Sequence, residues 1–467
     1  MAKTKIVCTI GPASQNKSTL EAMIRAGMNV ARLNFSHGTH AEHGAAIESI
    51  RRASKEIDKP VAILQDLCGP KIRVGDIKPP GIRLESGDTL TLTNAPAKGD
   101  ENRVSVSYAE LPRDVEKGDV ILLADGMMEL EVIGTTETDI DCRVIIGGVL
   151  TSHKGINLPS GTIRAPALTE KDKLDLAFGL SQNVDYVALS FVRRPEDITD
   201  IKNIIAGAGK NIPVIAKIEK HEAIKNIDAI IAAADGIMVA RGDLGVEIPL
   251  ETVPTIQKEL VRKANAAGKP VIIATQMLRS MVDATRPTRA EATDVANAVL
   301  DGTDALMLSE ETASGNYPVK AVEYMSRIAE SAEPTYPYEK SFSMITDIQV
   351  SESVAHAACI LADHLNAKAI IASTQSGFTA AQLSRFRPKS LIIALSPDIE
   401  TVRRLCLYWG CHSTHAPRAA DVDAMLDTAV KTAQDIGHVA AGDLIVITAG
   451  YPLWQPGTTN MIKVREL

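Results

Sequence analysis

The chain predicts an α/β architecture: a (β/α)8 TIM barrel with an inserted small β-barrel domain and a C-terminal α/β domain. Three observations carry that expectation. Short β-branched apolar runs alternate with amphipathic segments; the alternation breaks once, after Gly69–Pro70; and a Pro- and Tyr-bearing stretch near 333–350 precedes a further set of strands and helices.

The eight strand-like runs are KIVCTIG (5–11), NVARLNFS (29–36), VAILQDL (61–67), VDYVALSF (184–191), PVIAKIE (213–219), GIMVARGD (236–243), PVIIATQM (270–277) and ALMLS (305–309). Between them STLEAMIRAG, HGAAIESIRRASKEI, EKDKLDLAFGLSQ, RPEDITDIKNIIAGAG and IQKELVRKANAAG read as helices, several ending in Gly as C-caps do. An open doubly wound sheet is the competing arrangement. Against it, no GxGxxG follows the first run, and polar residues gather at the ends of many runs rather than at one switch point.

The interruption at 70–167 is rich in turn signals, and its runs, such as IRLESGDTLTLT and DVILLADGMMELEVIG, are short and alternating. It predicts a small antiparallel β barrel inserted between the third strand and its helix. The main barrel then covers 1–69 and 168–340. Residues 346–467 form the separate α/β domain, with strands AKAIIAST, LIIALS and DLIVITAG.

Composition sets limits on function. An apolar fraction of 45% allows a sizeable core, and a net charge of −8 without a basic block argues against nucleic acid or an anionic membrane as partner. Aromatic content of 3% offers no platform for stacking bases. No apolar run is long enough for a membrane span, and no secretory signal opens the chain, so a cytoplasmic location is expected. The cysteines (Cys8, Cys68, Cys142, Cys359, Cys406, Cys411) form no CxxC pair or ligand cluster and are expected as unbridged thiols.

In a (β/α)8 barrel the site lies where strands run into loops. There the second run carries Arg32, Asn34 and Ser36 on one face, followed by His37. The third ends at Asp66, the fifth carries Lys217 and Glu219, the sixth ends Arg241-Gly242-Asp243, and the seventh carries Thr275 and Gln276. Charges on neighbouring strands must pair with each other, a metal or a ligand. Glu219 and Asp243 are hard carboxylates suited to Mg²⁺ or Mn²⁺, or else a pair neutralised by Lys217 and Arg241. Lys217 could stabilise an enolate or a transferring phosphoryl group. Arg32 and Arg73 have the fork that binds phosphate. Thr275 either relays a proton or simply fills a strand. The inventory fits a metal-assisted reaction on a small phosphorylated or carboxylated anion, without fixing which.

VARLNFSHG, IAKIEKHEAI, GIMVARGDLGVEIP, IIATQML, PTRAEATDVANAVLDGTDALMLS and GNYPVKAV, with KGINLP at 154–159, resemble the signatures of the pyruvate kinases, from residue 4 to the end of the chain. The resemblance implies phosphoryl transfer from phosphoenolpyruvate to ADP, giving pyruvate and ATP, with Mg²⁺ or Mn²⁺ as cofactor. It implies that Lys217 stabilises the phosphoryl transition state and the enolate. Glu219 and Asp243 would hold the divalent ion, and Gly242, Asp243 and Thr275 would contact the substrate carboxylate, their helix start suiting an anion. Thr275 would also be tied to enolate protonation through water. Arg32 and Arg73 would bind the phosphoryl group. Asn34, His37, Arg73 and Lys154 would sit by the nucleotide, Lys154 reaching from the inserted lid. A homotetramer is implied as well.

The chain departs from the family in one place. Many members read LDTKGPEIRT and many of those need K⁺; here the segment is LQDLCGPKIRV, with Leu67, Cys68, Lys71 and Val74 at the changed positions. An ammonium carries the charge of K⁺, so Lys71 is expected to replace that ion at a position built from Asn34, Ser36 and Asp66, and K⁺ is not expected to be required, as in the K⁺-independent bacterial branch. In the C-terminal domain STQSGFT (373–379) resembles the family's effector-phosphate loop. Ser373, Thr374, Ser376, Gly377 and Thr379 there make a phosphate cradle for a phosphorylated sugar or nucleotide monophosphate. The loops around Trp409 and Trp454 are expected to discriminate among effectors. Two rival readings are a lyase or mutase on the same enolate site and a regulatory protein on an inactive barrel.

Overall fold

The strands Lys5–Thr9, Met28–Asn34, Ala62–Asp66, Tyr186–Leu189, Val214–Ile218, Gly236–Ala240, Val271–Ala274 and Ala305–Leu308 close into one parallel barrel, the first pairing with the last from Lys5↔Ala305. This computed structural model describes residues 2–159, 161, 164–341, 349–453, 455 and 457–467. Side chains alternate along each strand, so one set faces in and the other out. Val7, Val30, Leu64, Ile215, Met238 and Ile272 fill the interior, while Ile6, Cys8, Ile63, Ile237 and Ile273 face the helices. The helices start at side-chain caps (Thr39 with Glu42, Thr169 with Asp172, Thr288 with Glu291), where the cap hydroxyl and the carboxylate satisfy otherwise orphaned N–H groups.

The inserted domain has its own core, including Ile72, Leu92, Val104, Leu123, Leu130 and Val144. Its main sheet runs, in spatial order, Ile156–Asn157, Val120–Leu123, Met128–Thr135, Asp139–Ile146, Thr89–Thr93 and Arg103–Ser105. Two features differ from the expected antiparallel barrel. The pair Thr89–Thr93 and Arg103–Ser105 is parallel, and among the described residues the sheet edges are joined through the isolated bridges Arg73↔Gly155 and Val74↔Val106. The segment after Gly69 spans the gap with single bridges.

The C-terminal sheet has five strands in the order Cys411–His415, Leu391–Ser396, Ala369–Ser373, Leu444–Gly450 and Thr459–Glu466, the last antiparallel. The two edge strands escaped the sequence reading, because CHSTH carries one apolar residue, Cys411, and TNMIKVRE alternates too weakly. All six cysteines are free thiols, five of them buried.

This domain docks on the face of the barrel opposite the mouth. Cys406 and Leu407, in the turn Leu405–Leu407, pack into the barrel interior beside Tyr186. Arg387, 2% exposed, reaches Asp304 Oδ1 at 2.7 Å, Asn265 Oδ1 at 3.0 Å and the Gly302 carbonyl at 2.9 Å. Trp409 is buried in the same seam, its backbone N–H donating to Asp304 and its ring facing the Arg387 and Lys3 cations. The expectation that Trp409 borders an effector loop is therefore corrected: a large apolar ring is used to seal two domains. Trp454 lies outside the described residues.

Candidate active site

The strand ends converge on one buried ammonium. Lys217 Nζ lies 3.2 Å from Asp66 Oδ1 and 2.9 Å from Glu219 Oε1, and donates to Ser190 Oγ at 2.7 Å. Burial works against the charged form, but Asp66 and Glu219 outweigh it and hold the Lys217 pKa above the ordinary lysine range. Asp66 is also gripped by Arg32, whose Nε donates at 2.6 Å to Oδ2. Burial opposes its ionisation, yet Lys217 and Arg32 together pull its pKa below the usual carboxylate range. Arg32 is aimed by a second bond, from Nη1 to Thr9 Oγ1 at 2.9 Å.

Glu219 accepts the Phe191 N–H at 2.8 Å on its other oxygen. Burial lifts its pKa; Lys217 opposes the lift and the nearby Asp243 carboxylate adds to it. Two carboxylates that repel across a buried mouth, both oxygen donors, fit a divalent cation by charge and by donor chemistry. Arg241 takes no part in neutralising them. It forms a fork with Asp294, both contacts at 2.8 Å, and donates to the Thr275 carbonyl at 2.8 Å.

Thr275 lies just past the seventh strand with φ 72°, and Gln276 follows at φ 55°. A β-branched residue in the left-handed region is strained, so its position is imposed by its surroundings. Its hydroxyl accepts the Gly242 N–H at 2.7 Å and donates to the Ala274 carbonyl at 2.6 Å. Thr275 is thus no strand filler. The Gly242 amide, expected to face an anion, is instead turned onto Thr275: the sharp turn into the seven-residue helix Arg241–Glu247 aims that N–H at the neighbouring strand end.

Arg32, Asn34 and His37 border a cleft of about 610 Å³ that also takes in His43 and Ser309. Asn34 Oδ1 accepts the Ser36 N–H at 3.2 Å. Arg73 is not brought to the Lys217 cluster; it stays on the inserted domain, its guanidinium donating to the His153 carbonyl at 2.9 Å. Lys154 lies exposed beside it on the same domain. Lys71 is also placed differently from expectation. Its Nζ meets Asp243 Oδ1 at 3.3 Å, whereas Asp66 is already satisfied by Arg32 and Lys217. An ammonium goes to the half-exposed carboxylate that still lacks a strong partner.

Sequence reasoning missed Ser190 and the Phe191 amide. The fourth strand ends without a charge, and the usable signal was a hydroxyl following an apolar run at the same level as Asp66 and Lys217. In the C-terminal domain Ser373, Thr374, Ser376 and Thr379 line a narrow recess with Gly450 and Thr458. Gly377, at φ 85°, caps the helix Phe378–Arg385, and its N–H donates to Thr374 Oγ1 at 3.0 Å. Thr379 Oγ1 pairs with Thr459 Oγ1 at 2.7 Å.

Phosphoryl transfer asks for positioned cations and little covalent chemistry from the protein. A barrel mouth with a fixed ammonium, an oriented guanidinium and a carboxylate pair is built for that class of enzyme, a phosphotransferase. Residues 1–322 match the family model described as pyruvate kinase, barrel domain, and residues 352–465 match that for pyruvate kinase, alpha/beta domain. The chain belongs to the pyruvate kinase family. It is 50% identical to the pyruvate kinase of Staphylococcus saprophyticus, over 99% of this chain and 80% of that protein. It is 49% identical to the pyruvate kinase of Staphylococcus aureus, with the same coverage. The crystal structure of a pyruvate kinase from Cryptosporidium parvum superposes with a TM-score of 0.94 at 38% identity, covering 100% of this chain and 96% of that one. The reaction is the glycolytic transfer of a phosphoryl group from phosphoenolpyruvate to ADP, giving pyruvate and ATP, and it depends on a divalent metal ion. Among the described residues no helix is long and apolar enough to cross a membrane.

Proposed function

We propose that the Lys217 cluster is the catalytic centre of this reaction and that the remaining strand-end residues divide the work around it. The observation that carries this is the Lys217 ammonium, held between Asp66, Glu219 and Ser190 at the mouth. Lys217 keeps its proton, so it acts as a fixed positive charge toward the phosphoryl group and the enolate. Arg32, braced by Asp66 and Thr9, binds the phosphoryl oxygens, while Arg73, held on the lid by the His153 carbonyl, serves the nucleotide side. Glu219 and Asp243 hold the divalent ion, taken to be Mg²⁺, with Mn²⁺ as the alternative. When bound, that ion neutralises charge on the substrate oxygens. Thr275, its hydroxyl held by the Gly242 N–H, orients the substrate carboxylate with Asp243, and that hydroxyl hands a proton from water toward the enolate carbon. Asn34, His37 and Lys154 border the nucleotide, and the lid, residues 70–167, excludes water. Pyruvate formation from phosphoenolpyruvate and ADP with Mg²⁺ tests this reading; folded protein without turnover would reopen the lyase and inactive-barrel readings.

K⁺ is not required in this proposal. Asp66 is neutralised from within the chain by Arg32 and Lys217, and Lys71 adds a built-in positive charge at Asp243. Activity in a buffer free of K⁺ and NH₄⁺ is expected to equal that after K⁺ is added. Lys71→Glu should lower K⁺-free turnover at least about tenfold, the effect of about 1.4 kcal/mol at the transition state. Wild-type dependence on K⁺, or undiminished activity of the variant, would discard the idea.

The recess at 373–379 is proposed to bind the phosphate of a phosphorylated sugar or a nucleotide monophosphate. At least one member of a panel of such compounds should shift the phosphoenolpyruvate saturation curve, and Ser376→Glu should abolish the shift. Identical curves across the panel would count against an effector site. A homotetramer in the cytoplasm completes the proposal, and sedimentation measures the assembly directly.

A further inference from the structure

The inserted domain meets the barrel at three points on one short helix, Arg241–Glu247. At the helix start Lys71 reaches Asp243. In the last turn the lid turn at Gly126 leans on Val246, whose Cγ1 would lie 3.6 Å from a Cβ built on that glycine. At the helix end Asn157 Nδ2 donates to Glu247 Oε1 at 3.2 Å. Glu247 has a fully buried side chain, and Lys220 Nζ neutralises it at 2.7 Å; His221 Nδ1 stands 3.5 Å from its other oxygen. Asn157 itself is 6% exposed.

These positions tie the lid to the catalytic carboxylates. Asp243 and Glu247 occupy the two ends of that helix, and Lys220 directly follows Glu219. Asn157 lies three residues beyond Lys154, on a strand whose neighbour Gly155 bridges Arg73. A buried carboxylate with one cation still has lone pairs to satisfy, so a lid donor that completes it gains a strong, charge-assisted bond. A lid that swings away leaves that carboxylate short of a donor. We infer that Asn157 is a positioning residue which, with Glu247 and Lys220, latches the inserted domain over the barrel mouth and so sets where Lys154 and Arg73 stand relative to the nucleotide. The inference rests on the nucleotide reading above.

Asn157→Asp tests it, because the change keeps the size of the side chain, removes the donor and turns a carboxylate toward Glu247. The latch predicts that KM for ADP rises about tenfold while KM for phosphoenolpyruvate changes little. It also predicts faster hydrogen exchange confined to the amides of 71–75 and 154–158, measured on the full chain without substrate. A packing role for Asn157 predicts wild-type behaviour on both counts, and that result overturns the inference. So does exchange that accelerates uniformly through the chain. Asn157→Ala, which adds no charge, is measured alongside and should show the same ADP-selective loss. The exchange readout stands apart from turnover, so an error in the nucleotide assignment would spare it, whereas an error in the latch would not.

Discussion

Replacing Lys217 by Gln is expected to reduce kcat by about 10³-fold or more while phosphoenolpyruvate and ADP still bind. Removing one neutral donor from a preorganised site costs about 10²–10³ in rate. A full charge aimed at a transferring phosphoryl group is worth about 10³–10⁵. In the proposed mechanism Lys217 supplies that charge, fixed on three sides by Asp66, Glu219 and Ser190. Steady-state kinetics with a thermal melt separate the catalytic loss from a folding loss. Asp66 keeps Arg32 as partner in the variant, and Glu219 keeps the Phe191 N–H, so the fold should survive. The pH response follows from the signs. The raised Lys217 pKa gives stability that is fully present below the ordinary lysine value and lost as pH climbs through the elevated one. The lowered Asp66 pKa gives stability present above the ordinary aspartate value and lost as pH falls through the depressed one. Between those limits Lys217 and Asp66 keep their charges, and the rate should show no break from either near neutrality. A wild-type rate within tenfold for Lys217→Gln would remove Lys217 from the mechanism.

The second large effect is structural. Arg387→Ala should destabilise the attachment of the C-terminal domain by about 3–5 kcal/mol, because it leaves Asp304 buried without its cation. Arg387 and Asp304 are 2% and 3% exposed, so water cannot replace the lost partner in place. Trp409, which shares Asp304 and faces the Arg387 cation, reports the event by its fluorescence. The double variant Arg387→Met with Asp304→Leu should regain only part of the loss, since it removes the unpaired charge but leaves the Val271 and Trp409 N–H groups without their acceptor. A melt unchanged in Arg387→Ala would show that the seam is held elsewhere.

The barrel was legible because its strands are buried on both faces and read as continuous apolar runs, such as VIIA and ALML. Charges at the ends of those runs stand out against that background, which is why Arg32, Asp66, Lys217, Glu219 and Asp243 could be picked from sequence. Ser190 could not, since a hydroxyl at a strand end carries no such contrast. Neither could the destinations of long side chains. Arg241 turns to Asp294 and Lys71 to Asp243, choices set by three-dimensional neighbours that chain spacing does not encode. Trp409 shows the same limit: its place in a domain seam depends on a partner, Arg387, on another loop. The polar edge strand Cys411–His415 was hidden because pairing along one side satisfies its backbone without an apolar pattern.

The insertion also bears on how the chain finds its fold. Leu64 on the third strand pairs with Tyr186 on the fourth, with the whole inserted domain between them. Loop-closure entropy grows with the logarithm of the intervening length. The inserted domain carries a core of its own, and the bridge Arg73↔Gly155 brings its two ends together. Once it has collapsed, the effective loop shrinks from roughly 120 residues to roughly 40, which lowers the entropic barrier to pairing the third and fourth strands by about 1 kcal/mol. The segment that covers the finished mouth thus first acts as a clamp on the growing barrel, and damage to its core should slow barrel assembly as well as turnover.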